Sequence, residues 1–350
     1  MANSASFLDL PYEIRSEIIR LAILDSSREA PRDPSVFKSQ ERRKIEPEPK
    51  EGAESYDREA LRVYFDANPT PNPALPFLLT NHQLHNETLD LLSTKAFTRA
   101  LTYSLDVVYL KDMTLHPTWL SVPARASHIP ELHVQFRIFS CPDDMRTAPS
   151  YNRDDELIMG STGDNRLMFV FYHLLATILE RGPCGQPITV GRVVMDFLPA
   201  EEEEDILPLA LYEPSRIYDE VDPGLVDFFH WYLWNTQITN EEMGRPGVRA
   251  AAMLMGFVMA EVDLMKWMIM EVFEWGQVIY ESIGEIECRL AGVPKTVGLA
   301  AGDLWQVPPW GGDHGSGCPC KRRWDAEFVP WREKVVARRV ELGMPVAMGP

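Results

Sequence analysis

The fold is decided by three segments that follow one another in the chain: ELHVQFRIF (131–139), NRLMFVFYHLLATILER (165–181) and TVGRVVMDFL (189–198). In the first, apolar residues alternate with polar ones, which is the period-two pattern of a half-buried strand. The second predicts a buried helix that ends before Gly182, and the third predicts another strand. The order strand, helix, strand is typical of a crossover unit with parallel strands, so we expect an α+β protein.

Helical patterns dominate the chain beyond these segments. Apolar residues have helical spacing in PGLVDFFHWYLWNTQI (223–238) and from Pro246 to about Leu290, where glycines divide the pattern into two or more helices. The second region is rich in methionines, namely Met253, Met255, Met259, Met265, Met268 and Met270. These side chains are suited to an adaptable binding surface, but we favour their interpretation as core filling.

Residues 301–350 are predicted to form a flexible C-terminal tail with a basic segment. The tail brings three potential zinc ligands together, but its single CxC pair lacks the second pair that zinc sites normally use. These ligands are His314, Cys318 and Cys320. The part from Lys321 to Arg339 holds seven basic and three acidic residues, a local charge of +4. It is typical of a solvated amphipathic helix, with a nuclear-import or partner-binding tail as the alternative.

The N-terminal segment FLDLPYEIRSEIIRLAI (7–23) predicts an amphipathic helix of about three turns. Its apolar residues recur at three- and four-residue spacing, with charged residues between them. They are Leu10, Ile14, Ile18 and Leu21, joined by Ala22. Because so short a helix is marginal in isolation, we expect its apolar stripe to need a partner surface.

A long insertion separates this helix from a second one. Residues 25–73 contain seven prolines and charges of both signs with little apolar periodicity, so we predict a disordered segment. TNHQLHNETLDLL (80–92) then predicts a helix capped by Thr80 or Asn81. Two histidines on this helix, His82 and His85, lack a third metal ligand in the sequence, and we predict no metal site there.

Composition narrows the classes of partner. The chain has 350 residues, 34 Lys plus Arg against 52 Asp plus Glu, and a net charge of −18, which disfavours nucleic acid and anionic membranes. Without the basic segment the remainder carries −22, so we expect a protein partner with a basic surface. Five cysteines are too few for a disulfide framework, and the N-terminus has no signal-peptide pattern. We therefore expect an intracellular protein of the cytoplasm, the nucleus or both, without a membrane span.

No pattern for catalysis or cofactor binding is present. The sequence lacks a GxSxG elbow, a recognisable cysteine nucleophile, a Walker loop and a dinucleotide-binding glycine pattern. We therefore expect a non-enzymatic protein with no catalytic residues, no cofactor and no metal. A hydrolase or metal-dependent activity with an unrecognised site remains as an alternative.

The N-terminal segment resembles the start of F-box-like domains, in which an aliphatic pair and Leu-Pro precede Glu-Ile or Glu-Leu and a short helix. PALPFLLTNHQLHNETLDLLSTKAF (73–97) is similar to the second half found in ascomycete F-box-like proteins. Gln83, Leu84 and Glu87 match that half, whereas Asn81 and His82 replace its usual cysteine and arginine. Three further blocks are similar to the largely uncharacterised fungal group that carries this module: LHPTWLSVPA (115–124), VQFRIF (134–139) and FYHLLATILERGPCG (171–185).

The resemblance implies a protein that links a protein target to a Skp/cullin-RING ubiquitin ligase through a Skp-type adaptor. The implied adaptor-binding residues are Leu8, Leu10, Pro11, Ile14 and Ile18. Together with the strand and helix patterns above, it predicts an F-box-like helical module (1–24 and 74–100) packed on an α+β body (101–300) whose C-terminal part is mostly helical. The alternative is a structural or scaffolding protein in which the same apolar side chains pack on the 84–92 helix and the protein's own core.

Overall fold

A computed structural model describes the chain in thirteen ranges, and all elements below belong to them. The described residues are 6–33, 35–39, 42–44, 63–67, 72–110, 114–139, 166–200, 245, 247–268, 273–295, 299–300, 326 and 328–346. The helices are α1 (Tyr12–Leu24), α2 (Val36–Ser39), α3 (Leu75–Thr80), α4 (His82–Ser93), α5 (Lys95–Ala100), α6 (Arg166–Arg181), α7 (Val248–Met268), α8 (Phe273–Ser282) and α9 (Val329–Glu341). The strands are β1 (Arg42–Lys44), β2 (Tyr64–Asp66), β3 (Tyr103–Leu110), β4 (Thr114–Ser121), β5 (His128–Phe139), β6 (Thr189–Phe197), β7 (Ile283–Leu290), β8 (Val293–Pro294) and β9 (Leu299–Ala300).

One mixed sheet organises the body. Its strand order is β4-β3-β5-β6-β7-β8, with β9 also paired to β7. Strands β3, β5, β6 and β7 are parallel, whereas β4, β8 and β9 run antiparallel to their neighbours. Helix α6 connects β5 to β6, so the predicted parallel crossover is confirmed, and with it the α+β class.

The two faces of the sheet differ because side chains alternate along each strand. On β5, Leu132, Val134 and Phe136 are buried, whereas His133 is half-buried and Gln135 is exposed. Helices α6, α7 and α8 contact the sheet, and their buried side chains belong to the same apolar cluster as those of β5. The core therefore lies between these helices and the apolar face.

The N-terminal helices share this core. Ile19 and Ile23 of α1, Leu84 of α4 and Phe97 of α5 are buried in the same continuous cluster as the sheet residue Leu105. Burying a large aliphatic or aromatic side chain contributes roughly 1.5 to 3 kcal/mol, so each of these contacts stabilises both parts. The helical module and the body are joined through one apolar interior.

The sequence misassigned one strand of the sheet and missed two others. The residues 283–290 were predicted as the end of a helical region but form β7, where they pair in parallel with β6. Apolar positions alternate there with Glu285, Glu287 and Arg289, which is a strand pattern. Strands β3 and β4 were not predicted, although they occupy one side of the sheet.

The prediction of a disordered insertion over 25–73 is wrong for the residues that the structure describes there. Strands β1 and β2 form an antiparallel pair, and Val63 makes a parallel bridge to Leu115 of β4. Arg28 donates its backbone N–H to the Leu120 carbonyl at 2.9 Å and forms an ion pair with Asp66. The insertion is ordered here because the edge of β4 supplies hydrogen-bond partners that local sequence patterns do not reveal.

The insertion also covers His116 of β4. The imidazole stacks on Phe37 and on Tyr64, with ring centroids 4.7 and 5.4 Å away. Its Nε2 lies 3.0 Å from the Thr114 hydroxyl, and its Nδ1 has no hydrogen-bond partner among the described residues. Burial, with a smaller contribution from the charge of Arg42, lowers the pKa of His116 to about 3.

Acidification is therefore expected to weaken the fold through His116. The unfolded chain binds a proton below a pKa of about 6.5, whereas folded His116 stays neutral, so stability is full above that pH and falls as the pH drops toward about 3. Between about pH 7 and pH 5, wild type should lose about 2 kcal/mol more than His116→Phe, which stacks without titrating. Urea unfolding at both pH values measures this, and an equal pH dependence of the two proteins would contradict it.

The prediction of a flexible tail is wrong for residues 328–346. They contain α9, which packs on α8, with Trp331, Val335 and Arg339 buried. The Arg339 guanidinium donates to backbone carbonyls at the junction of α8 and β7 and beyond α9. These carbonyls belong to Tyr280, Ile283, Gly284 and Pro345. Burial lowers the pKa of Arg339 to about 10, so it stays charged at neutral pH.

Several other sequence features can now be placed. Met255 and Met259 are buried in the apolar cluster, which confirms core filling for these two. The predicted helix 223–238 and the cluster of His314, Cys318 and Cys320 lie outside the described residues. Among the described helices, none combines the length and the apolar character needed to cross a bilayer.

Candidate partner-binding surface

A short 3-10 helix (Phe7–Asp9) and a proline set the direction in which α1 begins. Ser6 caps this helix, because its N–H donates to Asp9 Oδ2 at 2.7 Å while its hydroxyl accepts from the Leu8 N–H. The backbone is then extended at the residue before Pro11, which stands immediately ahead of α1. This turn leaves the Leu8 side chain 39% exposed.

Helix α1 carries apolar side chains on two faces. Ile19 and Ile23 point into the core and are fully buried. Ile14, Ile18 and Leu21 are 50%, 40% and 50% exposed. The stripe that was predicted to need a partner surface is therefore the outer face of α1.

All five residues implied by the F-box-like resemblance lie on this helix or on the turn before it. Four are exposed and one is half-buried: Leu8, Pro11, Ile14 and Ile18 are exposed, and Leu10 is half-buried. Sequence reasoning missed Tyr12, which is 47% exposed at the first position of α1. Its place directly after Leu-Pro was the signal that could have added it.

Exposed apolar side chains are concentrated in the helical module. Ten large ones are exposed in the described part of the chain, and eight of them lie between residues 8 and 89. These eight are Leu8, Tyr12, Ile14, Ile18, Leu21, Leu75, Leu79 and Leu89. Single exposed apolar residues are normal on protein surfaces, but their concentration in one module is typical of an interaction site.

Arg15 is buried and joins the two halves of the module. Its Nε donates to Glu87 Oε2 at 3.1 Å, and its Nη2 donates to Glu87 Oε1. Its Nη1 donates to the backbone carbonyl oxygens of Leu8, at 3.1 Å, and of Leu10. Gln83 Nε2 donates to the same carboxylate at 3.1 Å. The hydrogen bonds from Arg15 lower the pKa of Glu87, and those to Glu87 raise the pKa of Arg15.

The second half of the module is fixed by local hydrogen bonds. Asn81 caps α4 by accepting from the Leu84 N–H at 2.9 Å, as one of the two predicted caps. His85 Nδ1 donates to the Leu78 carbonyl of α3 at 2.8 Å, whereas His82 is exposed. His85 thus ties α3 to α4, and the part of the chain that the structure describes holds no group of three potential metal ligands.

Charged side chains also cross the polar face of the sheet. Arg192 of β6 pairs with Glu131 of β5, at 3.2 Å, and with Glu287 of β7. His133 Nε2 donates to Glu131 at 2.7 Å, and Arg289 Nε donates to Glu287 at 2.6 Å. Both carboxylates already have partners on their own and neighbouring strands. This ladder therefore ties three strands together across the polar face.

Comparison of the chain with protein-family models, with curated proteins and with solved structures finds no match in any of the three.

Proposed function

We propose that this protein is an F-box-like substrate-recognition subunit. In this proposal, the outer face of α1 and the turn before it bind a Skp-type adaptor, and the body presents a protein target to a cullin-RING ubiquitin ligase. The observation that carries the proposal is the exposure of Leu8, Pro11, Ile14 and Ile18 on one short helix and its preceding turn.

The physical support is the balance between burial and exposure on α1. Its inner face already makes the contacts that the fold requires, through Ile19 and Ile23. Full burial of a large aliphatic side chain contributes roughly 1.5 to 3 kcal/mol, and the exposed part of each outer side chain can still supply its share of that free energy when a partner covers it. An amphipathic helix that places such a face in an apolar groove is a common mode of recognition.

The scaffolding alternative assigns the same apolar stripe to the interior of the protein instead of to a partner. It requires the stripe to pack on the 84–92 helix and the core, whereas Ile14 and Ile18 are half or nearly half exposed. Their exposure favours the adaptor-binding proposal. The alternative predicts that charged substitutions in the stripe unfold the protein.

Replacing Ile14 and Ile18 together by aspartate is expected to abolish adaptor binding without unfolding the protein. The variant loses the remaining burial of two apolar side chains and places two carboxylates in the apolar interface, so the adaptor complex should weaken by at least about 100-fold. Binding of the purified Skp-type adaptor to the full chain measures this, with circular dichroism and thermal melting as the test of folding.

Val340→Asp is the matched control, because Val340 is 65% exposed on α9 outside the module. It should bind the adaptor as wild type does. If wild type and the double variant retain equally little adaptor, the ubiquitin-ligase proposal is wrong. If the double variant melts far below wild type, the scaffolding alternative is favoured.

The charge of the chain narrows the proposed target. Outside the basic segment 321–339 the chain carries −22, which steers and orients partners with basic surfaces. We therefore propose a basic protein target, and the ligase role places the complex in the cytoplasm, the nucleus or both.

A further inference from the structure

Arg15 contacts the turn that carries part of the proposed adaptor-binding surface. We infer that Arg15 is a positioning residue for that surface: it fixes the Leu8–Pro11 turn relative to α1, and Glu87 orients its guanidinium. This inference rests on the proposed function, and it concerns side chains that the F-box-like resemblance does not include among the adaptor-binding residues.

The arrangement uses properties that only arginine has. A guanidinium is planar and offers five N–H donors in a fixed fork. Here the Nε and Nη2 edge meets the Glu87 carboxylate, and Nη1 reaches the carbonyls of Leu8 and Leu10. A lysine carries the same charge but cannot reproduce this fork, so the charge alone does not hold the turn.

The turn matters because its backbone carries Leu8 and Leu10, two of the proposed adaptor-binding residues. The carbonyl oxygens of Leu8 and Leu10 accept hydrogen bonds from Arg15 while the Leu8 side chain is 39% exposed. A backbone that is already fixed loses less conformational freedom when a partner binds, which increases affinity. Arg15 therefore contributes to adaptor binding without touching the adaptor.

The chain offers a matched control on the same helix. Arg20 forms a two-pronged pair with Glu17, with both distances 2.7 Å, and these side chains are 38% and 51% exposed. This pair contacts neither the turn nor α4 in any hydrogen bond of the described residues. Arg20→Lys therefore measures the effect of losing a two-pronged ion pair on the helix surface, without any effect on the turn.

The test compares Arg15→Lys with Arg20→Lys in the full chain, at a temperature where both variants are folded. Arg15→Lys is expected to weaken binding of the purified Skp-type adaptor by about tenfold or more, and Arg20→Lys by less than about twofold. Hydrogen exchange of the amides in residues 6–12 should be faster in Arg15→Lys only. Equal exchange and equal affinity in the two variants would overturn the inference.

A charge swap separates positioning from stabilisation. Arg15→Glu combined with Glu87→Arg restores an ion pair between α1 and α4 but places a carboxylate beside the Leu8 and Leu10 carbonyls. We expect the melting temperature to recover relative to Arg15→Glu alone while adaptor affinity stays low. Recovery of adaptor affinity in the swap would show that the ion pair, and not the turn, is what binding requires.

The two proposals fail in different ways. If wild type does not bind the adaptor, the proposed function is wrong. The positioning of the turn is then decided by hydrogen exchange alone: faster exchange at residues 6–12 in Arg15→Lys than in Arg20→Lys supports it, and equal exchange contradicts it.

Discussion

Gly284→Ala is expected to destabilise the protein by about 4 kcal/mol or more, which is an exceptional value for the addition of one methyl group. A Cβ at this position would lie 2.1 Å from the Gly191 carbonyl oxygen on the neighbouring strand. Gly191 is itself confined, since its own Cβ would lie 2.7 Å from the Pro130 carbonyl oxygen on β5. The clash involves backbone atoms of the sheet, so no side-chain rotation relieves it. Urea unfolding of the full chain measures the loss.

Gly185→Ala is the control for this experiment. Gly185 has a positive φ of 74°, but a Cβ there meets no atom within 4 Å. Its substitution should cost about 1 to 2 kcal/mol through backbone strain alone. If Gly284→Ala is no more destabilising than Gly185→Ala, the close approach of β6 and β7 is not as tight as the structure indicates.

Arg339→Met is the second change with a large expected effect. Methionine preserves most of the apolar length of the side chain but removes every hydrogen-bond donor. The carbonyls of Tyr280, Ile283 and Gly284 then lose the bonds that Arg339 supplies within the interior. Leaving a buried acceptor without its bond costs about 1 to 3 kcal/mol, so the loss of three such bonds is expected to cost at least about 3 kcal/mol.

Arg338→Met tests whether this loss is specific. Arg338 is the preceding residue of α9 and is exposed, so its replacement should change stability by less than about 0.5 kcal/mol. Limited proteolysis gives a second readout, because release of α9 should make the chain after residue 328 sensitive to protease in Arg339→Met only. Equal melting temperatures of the two variants would contradict the buried role of Arg339.

Local periodicity was sufficient for the centre of the sheet. Strand β5 alternates apolar and polar residues, and α6 is an apolar helix that ends at the residue before Gly182, so both elements followed from the sequence. The third element of this unit, β6, also begins at the predicted Thr189. These elements were predictable because their own residues determine which face is buried.

The missed strands depend on contacts between distant residues. Strand β3 contains Asp106, whose buried carboxylate is paired with Arg137 of β5 at 2.6 Å. Without knowledge of that partner, an aspartate in the sequence indicates a solvent-exposed loop rather than a buried strand. Strand β4 contains Pro117, which is disfavoured in central strands and tolerated at an edge. The sequence does not show that β4 lies at that edge or that the insertion covers it.

The candidate surface was predictable only in part. The apolar stripe and the five implied residues follow from spacing and resemblance, but α1 also has Ile19 and Ile23, so spacing alone does not say which stripe faces solvent. The Arg15–Glu87 pair joins residues 72 positions apart, across the insertion. No pattern within either helix identifies such a pair.

The common interior of the module and the body has a consequence for engineering. A cut between residues 100 and 101 would divide one apolar cluster and leave Leu84 and Phe97 without part of their surroundings. We therefore expect the N-terminal helices to lose stability when they are transferred to another recognition body. In the proposed ligase, the orientation of the body relative to the N-terminal helices is therefore fixed by the packing of this cluster, and so is the orientation in which a target is presented.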